Sequence, residues 1–583
     1  MESYKIISFW GFIIATLFFG TLIAPSYAQT NEEDKTQIET MTIFGEFTPT
    51  IKMTPRIETN PGANEYTVKP PALDFEMKTE AIHSVEFSDL LPADPLPKES
   101  PPSYLHNYLI LGFGNYITPY GEFYANTSAM NNHAFGIHLK HRSSQGGIKD
   151  YADNSFSYNL GDIYYKYSGD NATFKADLFL KRDVVHYYGF HPTETFSLPK
   201  DSVKQRYFLA GTNLSLESNN IDSRDFSYLF DVNYYNFSDR YKNQENIFSL
   251  HADMGKGFSL FNTRLPQKAG ATFDFAVFNN KNVFPATTEW RPLSEMDTLE
   301  FSNTDMQLGI APYFICDWGE YRLKIGADLG ILRAQKETEV YIHPVLEATV
   351  KIIQNRLYLF GRLGGKIERN SFLSLANENP FIAPGFYTAN FINKRITAAG
   401  GFSAMLAPGF DMKIGGEYAL MDNMPFYVTN RLDSTHSFHT IFDKVDQGDI
   451  FVETAYSFSN KFALNLALHY YIYKTDSLEH AYYRPDFKMI AQGMYRPIER
   501  LRIDASFYFY SKMWAADPSQ NAGQFTNVQL PALYTLNLSA EFCVWRELYL
   551  FVQANNIFAQ NYERYLNYPT QGFHFMGGMK FRF

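Results

Sequence analysis

The sequence predicts an all-β protein, an antiparallel transmembrane barrel of about 22 strands, and three observations carry that prediction. Apolar residues recur at every second position in segment after segment between Asn107 and Phe583. The joins between those segments take turns at being short and long. The chain ends on Gly577 to Phe583, closing on an aromatic ring with no polar tail. A strand sends successive side chains to opposite faces, so one apolar and one polar flank suit a sheet with lipid outside and water inside.

Composition narrows the alternatives. The 583 residues include 53 Phe and 41 Tyr but only 2 Cys, and the mean hydropathy is -0.28. Such a chain, aromatic yet hydrophilic on average, fits two-faced strands and not a bundle of apolar helices. Beyond the N-terminus there is no run of about 18 apolar residues that would mark a transmembrane helix. A soluble chain of this length is expected to divide into roughly three or four domains joined by linkers, and no linker is visible after residue 104. The net charge of -11 and the pI of 5.7 lack the basic footprint of a nucleic-acid-binding protein. Cys316 and Cys543, each just before a tight turn, are too few for a disulfide framework, and nothing marks them as a redox or metal pair.

In chain order, residues 1–28 read as a signal peptide. Met1 to Lys5 is a short basic start, Ile6 to Pro25 an apolar stretch, and Ser26-Tyr27-Ala28 a small-residue cleavage site, with cleavage expected after Ala28. Residues 29–104 are rich in proline and charge, from Pro70-Pro71 to Pro101-Pro102, and are too polar to form an independent core. Residues 105–583 are the expected barrel. Leu178 and Leu180 alternate with Lys175, Asp177 and Lys181; Ile325, Leu329 and Ile331 alternate with Arg322, Lys324 and Asp328; Phe575, Met579, Phe581 and Phe583 alternate with His574, Lys580 and Arg582. Short joins are expected at residues 130–132, 168–170, 317–319, 354–355, 408–409, 459–460, 497–500 and 545–547. Long ones are expected at 143–154, 190–204, 280–304, 370–393, 421–440, 513–530 and 560–571. Residues 255–267 break the parity, being long where a short turn is due. Trp318 and Trp545, beside short turns, are expected in the interfacial aromatic girdle, and interfacial packing is also expected of Tyr187, Tyr188 and Phe190.

Two stretches near the C-terminus carry a family resemblance. Gly578-Met579-Lys580-Phe581-Arg582-Phe583 resembles the terminal signal of outer-membrane barrels, which implies that Gly578, Phe581 and Phe583 are read by the barrel-assembly machinery. Asn555-Asn556-Ile557-Phe558 with Asn561-Tyr562-Glu563 resembles the NLF…YE segment of TonB-dependent receptors, and Glu39-Thr40-Met41-Thr42-Ile43 is similar to their TonB box. The resemblance implies location in the outer membrane of a Gram-negative bacterium, contact with its lipid, and TonB as a partner that captures the box by strand addition. The departure is equally plain. The family places a globular plug ahead of the first strand, whereas residues 29–104 carry no plug motifs. A ring of about 22 strands, about 4.8 Å apart and tilted by about 40°, is roughly 45 Å across. Something must fill it: the N-terminal segment, inward-folded loops, bulky lumen side chains, or a second protein such as a separate plug or a surface lipoprotein.

Alternation assigns the lumen. His138, Lys140 and Arg142, then Lys175 and Asp177, then Arg322, Lys324 and Asp328, then Asp411, Lys413 and Glu417 are expected to point inward, their mixed signs suggesting a wet wall of ion pairs and not a selectivity ring. No cofactor is implied and no metal ligand set is found: His133 and His141 share a face of their strand and His138 takes the other. No P-loop, GxSxG, HExxH or CxxC motif points to an enzyme. Three functions stay open: a TonB-energised importer of a bulky nutrient, an accessory barrel of a larger surface complex, and a passive porin.

Overall fold

The computed structural model describes residues 107–583 apart from 128–131, 194–197, 220–224, 260–266, 286–297, 386–389, 431–434 and 519–524. The signal peptide, the Pro-rich segment and the box at Glu39 to Ile43 lie outside the described residues.

The strands follow one another as β1 Tyr108–Gly114, β2 Thr118–Asn126, β3 His133–Ser144, β4 Phe156–Ser168, β5 Ala172–His186, β6 Lys204–Ser218, β7 Phe226–Asp239, β8 Gln244–Phe258, β9 Gln267–Pro285 and β10 Thr298–Asp317. Then come β11 Tyr321–Ala334, β12 Glu337–Ile353, β13 Leu357–Asn370, β14 Asn390–Ala407, β15 Phe410–Thr429, β16 Phe438–Phe458, β17 Phe462–Thr475, β18 Phe487–Ile498 and β19 Leu501–Tyr510. The rest are β20 Met513–Pro518, β21 Phe525–Leu530, β22 Leu533–Trp545, β23 Leu548–Asn555, β24 Glu563–Tyr565, β25 Tyr568–Pro569 and β26 His574–Arg582. Twenty-two of them form one closed antiparallel sheet, β1 to β19 followed by β22, β23 and β26, which returns to β1. The hairpins β20–β21 and β24–β25 stand apart, inside two long connections.

Closure follows from the solvent. An unpaired backbone group in hydrocarbon costs several kcal/mol, so a spanning sheet cannot keep a free edge there. β26 accordingly pairs with β1 from Tyr108↔Arg582 to Gly114↔Met576, and Asn107 and Phe583 exchange backbone hydrogen bonds of 3.2 and 3.0 Å below it. At this seam Gly112, Gly578 and Phe551 lie side by side on three neighbouring strands. The Phe551 ring lies so close that a Cβ built on Gly112 or Gly578 would meet it at 2.9 and 2.6 Å. An aromatic ring thereby supplies the packing that two glycines lack. Phe575, Met579, Phe581 and Phe583 are exposed on the outer flank, while His574, Met576 and Lys580 are buried on the inner one.

The tight joins cluster at one end, which the bilayer frame makes the periplasmic side. There Trp318 and Trp545 are both exposed. β8 and β9 pair to Phe258↔Gln267 at that same end, so the irregular join at 255–267 does link a hairpin. The other end departs from the expected alternation. Its connections at 115–117, 240–243 and 335–336 are short. Within the segments read as loops, residues 280–285, 298–304, 421–429 and 438–440 are strand, because β9, β10, β15 and β16 run on past the wall. Above the bilayer no lipid face remains: residues 299–302 of β10 are exposed on both flanks and residues 424–429 of β15 are buried on both, so the alternation that marks a strand in sequence fades while the ladder continues.

Two bulges sit in successive strands near that outer end, one in β14 around Arg395, visible on both of its ladders, and one in β15 between Met421 and Met424. Bulges bend strands, and here β13 parts from β12: their ladder stops at Leu346↔Leu363 although both strands continue.

Replacing Gly578 by valine should disrupt the seam, since its Cβ would lie 2.2 Å from the Leu111 carbonyl oxygen. Overpacking of this kind costs about 1–3 kcal/mol. We expect the folded, fast-migrating form in unboiled gel electrophoresis to unfold at lower temperature for Gly578→Val, and to be unchanged for Gly361→Ala, where nothing lies within 4 Å.

Candidate functional site at the outer mouth

The segment between β13 and β14 opens with Ser371, whose side chain accepts from the Ser374 amide and so caps a short helix, α1, Phe372–Glu378. The free N–H groups of its first turn are met from the wall: Glu245 of β8 accepts from the amides of Phe372 and Leu373 at 2.9 and 3.4 Å. Glu245 is 0% exposed, Asp305 of β10 1% and Arg369 of β13 6%. Arg369 donates to Asp305 at 3.2 Å and lies 4.1 Å from the centre of the Phe278 ring on β9. The Asn280 amide fits between them, donating to Glu245 at 3.1 Å and accepting from Arg369. An arginine on β13 thus reaches inward past β12 and β11 to strands β8, β9 and β10, and takes the following loop with it.

Beyond the helix the connections converge on tyrosines. Tyr187 donates to the Ile382 carbonyl (2.7 Å), Tyr207 to Pro380 (3.0 Å), Tyr427 to Leu375 (3.2 Å) and Tyr565 to Glu378 (2.5 Å). Tyr188 and Tyr568 bond the carbonyls of Pro569 and Thr435 at 2.9 and 2.8 Å, and Tyr568 stacks on Phe381 at 4.1 Å. Arg484 closes on Glu378 at 2.6 Å. Around these bonds Phe372, Leu375, Ile382, Phe426, Val428, Phe438, Ala515 and Ala516 form a fully buried apolar core. Phe426, Tyr427 and Val428 are covered on both flanks, because the hairpin β20–β21 packs on the extension of β15.

This core spans the mouth. β6 and β15 stand nine places apart in a ring of 22 strands, nearly opposite each other, yet one loop bonds Tyr207 on the first and Tyr427 on the second. Residues 371–385 therefore cross the opening, with the upper ends of β13 to β16 leaning in behind them. Between α1 and the wall a cavity of about 30 Å³ remains, lined by Lys181, Asp183, Tyr207, Phe237, Leu373 and Asn377, room for about one water.

The charged residues singled out in the sequence lie elsewhere. His138 bridges Glu122 (2.9 Å) and Asp162 (3.0 Å), with Lys140 and Arg142 each 5.9 Å from the rings of Tyr120 and Phe156. Lys175 bonds Glu217 at 3.0 Å, while Asp177 stands between Tyr164 and Asn213 in the register. Lys324 lies 3.7 Å from Glu347, and Asp328 lies 3.8 Å from His343; Arg322 is exposed near the periplasmic end. Lys413 lies 3.8 Å from Glu453, Glu417 bonds Arg362 at 3.2 Å, and Asp411 is exposed at the start of β15. Each set finds its partners on nearby strands, and the structure brings no two sets together. Tyr187 and Phe190, expected at the lipid interface, are instead buried in the loops over the mouth. Among the described residues no three His, Cys, Asp or Glu side chains are grouped to hold a metal ion.

Sequence reasoning missed Glu245, Asp305 and Arg369, which come from three strands far apart in the chain. A local signal for the loop was present in Ser371 ahead of Phe372, Leu373, Leu375 and Ala376, a capping residue before a helically spaced apolar group. Asn556, from the segment that carried the family resemblance, ties the head of the last loop by donating to the carbonyls of Gln560 and Gln571 at 2.8 and 3.1 Å.

Two outcomes are expected. Truncating Glu245 to alanine leaves Arg369 with one fewer buried partner and α1 with free amides, a loss of about 3–5 kcal/mol for a broken buried pair. Hydrogen exchange over residues 372–378 should then speed by at least about 100-fold, and the barrel should stay folded. Burial pushes the Tyr565 hydroxyl up to about 12, whereas a solvated tyrosine ionises near 10. A raised phenol favours the closed loops fully below about pH 10 and loses that contribution as the pH climbs toward about 12. Protease cleavage of the outer loops should rise across that window, less steeply in Tyr565→Phe.

No family model and no curated protein matches the sequence. Solved structures do match the fold. The ferric-catecholate import receptor Fiu from Escherichia coli K12 superposes with a TM-score of 0.61 at 9% identity, over 82% of each chain. The FrpB iron transporter from Neisseria meningitidis gives 0.59 at 11%, over 82% of this chain and 81% of that one. The pyoverdine outer-membrane receptor FpvA from Pseudomonas aeruginosa PAO1 gives 0.61 at 9%, over 82% and 78%. At such identities the likeness speaks to the fold alone, and in fold this chain is a 22-strand barrel like those of the TonB-dependent receptors.

Proposed function

We propose that this chain is an outer-membrane receptor-like importer that captures a bulky nutrient at its loop-covered mouth and is energised through Glu39, Thr40, Met41, Thr42 and Ile43. The observation that carries the reading is the crossing of the mouth by residues 371–385. A ring roughly 45 Å across would leak if left open, and a cover held to the wall by a handful of side-chain bonds is a cover that a ligand and an energy source can displace. The structural neighbours described as a ferric-catecholate receptor, an iron transporter and a pyoverdine receptor point to a metal chelate as the ligand class. On this reading TonB takes the box by strand addition, Gly578, Phe581 and Phe583 serve the barrel-assembly machinery, and His138, Lys175, Asp328, Glu417 and their partners line a hydrated path below the cover.

A second reading has its own support. The cavity between α1 and the wall admits about one water and no nutrient, so the cover is closely packed there, which favours an accessory barrel whose closed upper surface docks a surface lipoprotein or another protein.

Deletion of residues 39–43 should abolish uptake of the labelled ferric chelate that the wild-type cells take up, with the amount of barrel in the outer membrane unchanged. Uptake that survives the deletion, together with stable co-purification of a partner, would transfer support to the accessory barrel. Ion conductance from the purified chain alone in planar bilayers would favour a porin.

A further inference from the structure

The break between β12 and β13 leaves a strand edge that belongs to neither the wall nor the cover. Their ladder runs from Ile353↔Leu357 to Leu346↔Leu363 and stops there. The next residues explain the stop. Pro344 has no N–H to give, and opposite it Gly364 and Gly365 of β13 stand where its ladder with β14 is broken by the β14 bulge around Arg395. Above this point β12 continues for nine residues, Glu337 to Val345, held straight by unbroken pairing with Gly326 to Ala334 of β11. Among the described residues no strand pairs with its other side.

The direction of the free groups follows from alternation. The Lys351 amide bonds the Glu320 carbonyl, on the β11 side. Odd-numbered residues of β12 therefore point their amides to β11, and Thr338, Val340 and Ile342 point theirs to the open side. The same three residues turn their side chains outward. Val340 is 75% exposed and Ile342 70% exposed, while Tyr341 and His343 are buried on the inner flank. Glu337 and Glu339 are exposed on this edge as well. Val345 lies ten residues above the turn at Asn355, about 25 Å up at a tilt of about 40°, so the edge begins near the top of an apolar band about 25 Å tall and stands in the outer headgroup layer and the water above it.

We propose that the β12 edge at Glu337–Val345 is a docking site for an extended segment of another surface protein, with apolar and basic residues in alternation, added as an extra strand. A preformed edge loses little order on binding, its main chain supplies affinity, and Val340, Ile342 and Glu339 select the partner. An acyl chain has no amides to match this edge. A second copy of the chain cannot use it: a twofold axis normal to the membrane keeps both copies of β12 running the same way, crossed by about 80° when each tilts by about 40°. Residues 29–104 suit it poorly, because acidic residues there outnumber basic ones more than two to one. The inference depends on the barrel's orientation, with the longer connections outside, and not on uptake.

The test is hydrogen exchange on the full-length protein in nanodiscs, with a nine-residue peptide of alternating lysine and valine as probe. The peptide should slow exchange of the Thr338, Val340 and Ile342 amides at least ten-fold. The same peptide N-methylated at every second residue should not do so, and Glu339→Lys should weaken the effect. Amides already protected without peptide would overturn the proposal by showing that β13 closes the seam. So would equal protection by the N-methylated peptide, which would be apolar adhesion only. As an independent measure, Ile342→Cys with Ile367→Cys, in a background with Cys316→Ser and Cys543→Ser, should stay reduced under mild oxidation. Rapid bridging would place the two strands in register and remove the edge.

Discussion

Everything in this molecule below the outer rim depends on one constraint, that a peptide group in hydrocarbon has no water to bond. It forces each spanning strand to pair on both sides and the sheet to return on itself. The joining of β26 to β1 is where that requirement is met last, and the local chemistry is suited to it. Gly112 and Gly578 let the strands approach, and the Phe551 ring restores the contact area that two missing side chains give up. The exposed Phe581 and Phe583, stacked at 5.6 Å, are stable there because their surroundings are lipid.

Once the strands leave the bilayer the constraint lapses, and the architecture changes at that height. Water can bond a free amide, so β12 and β13 part company, and bulges in β14 and β15 bend one side of the wall over the mouth. A nearby stretch of the wall, β8 to β10, is tied to β13 through Glu245, Asp305 and Arg369. Burying these charges is tolerable only because each meets an opposite charge or a peptide dipole.

The cover has a different economy from the wall. Its connections are irregular, so their carbonyls have no ladder to join and need other donors. Tyrosine answers both needs of such a site, a large apolar body for the core and a hydroxyl for a stranded carbonyl. Tyr187, Tyr188, Tyr207, Tyr427, Tyr565 and Tyr568 each bond a backbone oxygen of a distant segment. Many of the aromatics that suggested a lipid interface by composition therefore serve the loops.

The sequence by itself determined the barrel. Alternation along β5, β11 or β26 is a local property, repeated every second residue and enforced by lipid on one flank and water on the other, so the ring, its strand number and its tight inner turns could be read without coordinates. It determined much less above the membrane. There β9, β10, β15 and β16 continue without a lipid face to mark them, and Tyr187 and Phe190 lie in a core assembled from loops hundreds of residues apart. Only the tertiary structure decided that Arg369 meets Glu245 and Asp305, that residues 371–385 cross the mouth, and that β12 above Leu346 pairs with no second strand among the described residues. The reason is that contacts across the ring depend on where each strand falls around the circle, and a strand's own residues carry the period of its neighbours but not its place among them.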